Sequence, residues 1–211
     1  MKSFFFLFVF LLISARATEL TDLGSGLAYL RIHSVAGSEA ALRKAVPGAG
    51  ALVLDLRYAT AGDESAAALK TALASRPANT PLFILVSPAT PPALVSAIVQ
   101  SSALTLGAPG SAPGPKVVVQ TDAANDRRAY DALEAGTPLE KLISGKIEKE
   151  RFDEATLVHE FKNGNPDAAP TPPADPTAPK PVGAPEKTAP LVDRVLQRAV
   201  HLHRALQVLR R

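Results

Sequence analysis

Beyond the N-terminal run, the chain is apolar at every position of ALVL before Asp55 and of LFILV after Pro81. Both are short and bounded by turn or charged residues, the pattern of a strand covered on both faces. Strands are therefore predicted at Ala51–Arg57 and Pro81–Val86, with a third at Leu27–His33. Between them the apolar spacing becomes helical. Ser38–Ala45 predicts a short helix with Ser38 as N-cap. Glu64–Ser75 is alanine-rich, with Leu69 and Leu73 one turn apart. A tight turn, Ser87–Pro92, leads into an apolar helix at Ala93–Ser102. Leu104–Leu106 and Lys116–Gln120 predict two short strands around a Gly/Pro loop. Strands separated by single helices imply βαβ units, and hence an α/β fold with a mostly parallel sheet.

Beyond residue 122 the chain becomes charged. Asp126 is placed to cap a helix running to Ala135, which Gly136 ends. Thr137-Pro138-Leu139-Glu140 has the order of a second helix start, with Thr137 capping and Pro138 in the first turn. Gly145 should interrupt that helix, and Lys146–Phe152 alternates charges as a solvated face does. Pro166–Pro190 then holds nine prolines in 25 residues, too many for a packed core and suited to an extended linker. Leu191–Arg211 predicts a helix whose apolar stripe is Val192, Val195, Leu196, Ala199, Leu202, Leu206 and Leu209. Such a stripe needs a cover. Its own domain or a second copy of the chain fits best, and the arginine face also suits an anionic membrane surface.

The N-terminus has the layout of an export signal: Lys2, an apolar Ser3–Ile13 run, and Ala15-Arg16-Ala17 as a small-x-small cleavage site. The run is shorter than the roughly 20 residues that span a bilayer. Cleavage would start the mature chain at Thr18; retention as an anchor is the other reading. The expected organisation is a signal over 1–17, a core domain over 18–165, a linker over 166–189 and a C-terminal helix over 190–211. Location follows as periplasm, cell envelope or extracellular space. The net charge of +3 is too small and too spread to imply nucleic acid. There is no cysteine, which excludes disulfides and thiolate chemistry.

The turn between strand and helix is where a hydrolase would place its nucleophile, beside the free N–H groups of a helix start. Here it offers Ser87 and Thr90, while Pro88, Pro91 and Pro92 remove backbone donors. The segment PLFILVSPATPPALVSAIV resembles the strand-turn-helix PLVVLVNxxSASASEIVA of the C-terminal-processing (tail-specific) serine proteases. In that overlay Ser87 stands at the asparagine, Thr90 at the first serine or threonine, and Pro92 at the nucleophile. Leu94 and Val95 stand at the following serine and glutamate. GALVLDLR at Gly50–Arg57 is similar to the family's GLILDLRxNPGG, with YATAG replacing most of the loop. GLAYLRI at Gly26–Ile32 resembles its GIGYLRI strand. LGAPGSAPGPKVVVQ resembles the segment carrying the catalytic lysine, which would be Lys116. DRVLQRAVHLHRAL resembles a helix near the family's C-terminus. The likeness covers roughly residues 24–122. It implies a crotonase/Clp-protease-like ββα core with a mostly parallel sheet, and a serine-type peptidase site whose nucleophile position is Pro92.

Two functions are then open. One is a non-catalytic relative that binds or scaffolds a protein or peptide partner in the cell envelope, alone or as a homo-oligomer. The other is a residual peptidase using Thr90, Ser87 or Ser111 as a displaced nucleophile and Lys116 as base, which requires a desolvated lysine within hydrogen-bond reach of the hydroxyl. Asp55 and Arg57 at a strand end could line a site, though an ordinary ion pair or solvent contact is the favoured reading. His33, His159, His201 and His203 lack metal-ligand spacing. No cofactor fingerprint is present, and the Gly107–Gly114 loop lacks the GK[ST] of a phosphate cradle.

Overall fold

The computed structural model describes residues 20–144 and 191–209. The signal, Gly145, the Lys146–Phe152 run, His159 and the proline-rich linker lie outside them. Six strands form one sheet in sequential order: β1 (Leu20–Asp22), β2 (Leu27–Arg31), β3 (Ala51–Asp55), β4 (Leu82–Val86), β5 (Leu104–Gly107) and β6 (Val117–Val118). β1 is antiparallel to β2, and all other neighbours are parallel. The chain is thus α/β with a mostly parallel sheet. The helices are α1 (Glu39–Gly48), α2 (Asp63–Ala74), α3 (Pro92–Gln100), α4 (Ala123–Glu134), α5 (Leu139–Ile143) and α6 (Arg194–Leu209).

The fully apolar runs are explained by burial on both faces. In β3 and β4, Leu52, Leu54, Leu82, Ile84 and Val86 point to one core, together with Leu42 and Val46 of α1, Leu69 and Leu73 of α2, and Leu94 and Ile98 of α3. The alternate residues Val53, Phe83 and Leu85 point to a second core, with Val195, Leu196, Ala199 and Val200 of α6. So α1 to α3 cover one face and α6 covers the other. Each fully buried leucine contributes roughly 1.5–3 kcal/mol.

Several expectations are corrected. β1 was not foreseen: it is an exposed three-residue edge strand with no alternation to reveal it. β6 is shorter than Lys116–Gln120, although Val119 N–H still donates to Gly107 O at 2.9 Å. The cap of α4 is Asp122, whose carboxylate accepts from Asn125 N–H at 2.7 Å. Asp126 lies one turn inside that helix and is buried. Pro138, not Thr137, flanks the start of α5. On α6 the buried set is Val195, Leu196, Gln197, Ala199, Val200 and His203, while Leu206 and Leu209 are exposed. The sheet therefore covers only the first part of the expected stripe, and the buried face includes polar Gln197 and His203. Gln197 is accommodated by donating to Ile143 O at 2.8 Å, and His203 by its hydrogen bond to Ser25 O at 2.9 Å.

Candidate functional site

The C-terminal ends of β3, β4 and β5 lead into Asp55, Arg57, Ser87, Thr90, Pro92 and Ser111, where open parallel sheets usually present their ligand-binding crevice. The β4–α3 turn is tied by its own hydroxyls. Ser87 N–H donates to Thr90 Oγ1 at 2.9 Å, and Thr90 N–H donates back to Ser87 O at 3.1 Å. Ser87 Oγ donates to Arg57 O and accepts from Ala89 N–H. Both side chains are buried. Pro92 is the first residue of α3, where its missing N–H costs no helix hydrogen bond. Ser111 Oγ donates to Ala108 O at 2.7 Å in the next loop.

Lys116 is directed elsewhere. Its Nζ donates to Ala103 O at 2.8 Å, and its N–H donates to Thr105 Oγ1 at 2.9 Å. Ala103 precedes β5, whereas Ser111 follows it. Because Phe83 is level with Leu104 and Val86 with Gly107, the carbonyl that holds the ammonium belongs to a residue five strand positions from the level of Ser87, roughly 16 Å at the rise of a strand. No described hydrogen bond joins Lys116 to Ser87, Thr90 or Ser111. The structure brings the two turn hydroxyls together and leaves the lysine, which is exposed, at the other end of the strand.

What converges instead is a buried ionic cluster. Arg57 is fully buried just past β3, and all its N–H groups face carboxylates. Nε and Nη2 reach Asp55 at 3.0 and 2.7 Å. Nη1 and Nη2 reach the two oxygens of Asp193 at 3.0 and 2.7 Å. Nη1 also donates to Asp126 at 2.8 Å. Tyr29 OH donates to Asp55 and Tyr58 OH to Asp126, both at 2.8 Å. Asp193 additionally caps α6, accepting from Leu196 N–H at 2.9 Å. One guanidinium thereby joins β3, α4 and α6, elements 69 and 136 residues apart in sequence. Beside it, Arg31 stacks on Tyr130 at 3.4 Å and pairs with Glu134.

Burial pushes the Asp55 carboxyl up, but the Arg57 charge and hydrogen bonds more than offset this and hold it below its ordinary value. Asp126 goes the other way: burial raises it, Arg57 and Tyr58 offset only part, and Asp193 raises it further. Arg57 itself is raised well above its ordinary value: burial opposes its charge, and the Asp193 and Asp55 carboxylates outweigh that. Asp55 and Arg57 are thus far more than a surface pair. Asp126, Asp193, Tyr29 and Tyr58 were not legible as partners, since no local spacing links them.

A separate cleft of about 300 Å³ opens at the N-terminal ends of β3 and β4, among Ser25, Ala51, Asn79, Pro81 and His203. Ser25 O there accepts from His203 and Gln207 of α6. No described helix is long and apolar enough to cross a membrane. No family model matches the chain, and no curated protein matches it.

Proposed function

We propose that the chain is an exported, catalytically inactive relative of the tail-specific serine peptidases, acting as a binding or scaffolding protein in the cell envelope. The observation that carries this reading is the state of the β4–α3 turn. The nucleophile position is Pro92, which has no hydroxyl to acylate. The neighbouring hydroxyls of Ser87 and Thr90 hold the turn together, and Lys116 is engaged at Ala103 O. Sequential strand order with α1, α2 and α3 on one face supports a crotonase/Clp-like core.

The test is fluorophosphonate labelling and peptide cleavage with the full chain. No labelling and no cleavage are expected, with Lys116→Ala indistinguishable from wild type. Pro92→Ser alone should stay inactive, because Val95 and the YATAG loop also depart from the family. Cleavage that disappears in Lys116→Ala would overturn the reading and favour a peptidase using Thr90, Ser87 or Ser111.

A further inference from the structure

We propose that the last two turns of α6 bind the surface of an anionic lipid bilayer. Packing leaves these turns free to do so. The buried face of α6 runs from Val195 to His203 against the sheet. Past His203 the helix continues to Leu209 beyond that cover. There Leu206 is 36% exposed, Val208 72% and Leu209 82%, with Ala205 exposed beside them. The other large apolar side chains exposed among the described residues, Leu20, Val99 and Val118, stand on three different elements. Single exposed apolar residues are ordinary, whereas a cluster of them marks a surface that meets a partner or a membrane.

Helical spacing places cations next to this tip. At 3.6 residues per turn, Arg198, Ala205 and Leu209 lie along one line of the helix, and His201, Arg204 and Val208 lie along the next. Arg198 and Arg204 are exposed, and no described carboxylate pairs with either. From Arg194 to Arg211 the sequence holds five arginines and no aspartate or glutamate. The β1–β2 hairpin, whose Ser25 O accepts from His203 and Gln207, brings one carboxylate to this end of the helix. That is Asp22, which accepts from Gly24 N–H at 2.8 Å.

The charge balance selects the occupant. A second copy of the same tip would set arginines against arginines, and like charges across an interface oppose association. A bilayer with anionic headgroups offers both halves of the match. Its phosphates meet the guanidinium groups, and the boundary beneath them takes the apolar tip. Arginine can serve both levels, since its stem lies along apolar surface while its head stays at the phosphates. The inference stands whether or not the peptidase site is active.

The experiment is sedimentation of the full chain with vesicles of phosphatidylcholine alone, and with vesicles containing about one third phosphatidylglycerol. The chain should bind the anionic vesicles more tightly, and added salt should weaken that binding. Arg198→Gln with Arg204→Gln should weaken it about tenfold or more, because each cation near an anionic surface contributes roughly fivefold. Val208→Asp with Leu209→Asp should also weaken it. All four side chains are exposed, so both variants should melt as wild type does. Arg43→Gln with Lys44→Gln removes the same charge from α1, across the sheet, and should bind as wild type does. The apolar Ser3–Ile13 run is identical in every variant, so the differences between them report on α6. Equal binding to both vesicle types overturns the proposal. So does anionic binding that either α6 variant leaves unchanged, or that the α1 variant weakens equally. A dimer in sizing experiments that Val208→Asp with Leu209→Asp dissolves, without vesicle binding by the wild type, overturns it in favour of a second copy. If the aspartate variant does not fold, the arginine variant decides alone.

Discussion

Replacing Arg57 by methionine removes five hydrogen-bond donors and the only guanidinium inside the cluster while keeping an unbranched side chain of similar reach. Three carboxylates are then left against one another in a closed site. Breaking a buried ion pair from one side costs about 3–5 kcal/mol, and Arg57 is 0% exposed, so solvent screening gives no discount. That is a large share of a typical domain's stability, about 5–15 kcal/mol. At about 2–4 °C per kcal/mol for a chain of this size, Arg57→Met should melt roughly 6–20 °C lower at neutral pH. The deficit should shrink toward mildly acidic pH. Without the Arg57 charge, burial alone acts on Asp55 and pushes its carboxyl up, so the variant loses stability as pH rises through that raised value. Arg127→Met is the control. Its pair with Asp131 is about half exposed on both sides, 54% and 48%, and surface pairs of this kind contribute about 0–1 kcal/mol. Urea denaturation followed by circular dichroism measures both variants across pH. If Arg57→Met loses no more than Arg127→Met at neutral pH, the cluster does not hold the fold together and this reasoning is wrong.

Gly107→Ala should lose about 1–3 kcal/mol in the same assay, because a Cβ there would lie 2.6 Å from Val86 O and 2.7 Å from Ser111 Oγ; a loss below roughly 0.5 kcal/mol would mean the strand end yields freely. Ser25 sits between Gly24 and Gly26 with φ of 55°, in the left-handed region. Its side chain is exposed, so substitution tests the backbone alone. Ser25→Val should cost about 1–2 kcal/mol and Ser25→Gly should be near neutral; equal melting of the two variants would refute backbone strain as the cause.

The elements that the sequence made legible are those with a local signature. β3 and β4 are readable because burial on both faces leaves no polar position, and α2 and α3 because their apolar spacing is helical. The ionic cluster has no such signature. Asp126 looked like a cap because aspartate near a helix start usually is one, yet Asp122, four residues earlier, takes that role. Asp193 caps α6, and nothing near it in the sequence shows that its carboxylate also grips Arg57. On α6 the stripe identifies the helix and its first buried turns. Which later leucines stay exposed depends on how far the sheet reaches beneath the helix, and Leu206 and Leu209 lie beyond its cover. The candidate site is legible in the same partial way: Ser87 and Thr90 are identified in the turn, while the direction of Lys116 depends on the long-range register of β4 and β5.

Asp193 N–H donates to Leu142 O at 2.9 Å, and Gln197 reaches Ile143 O. The chain therefore arrives at α6 beside the point where it left α5, and the packed unit closes on itself at that seam. Asp193 thus anchors the last turn of α5 with its amide and Arg57 with its carboxylate. Opening of α6 must release both, so the amides of α5 should exchange with solvent together with those of α6 rather than on their own.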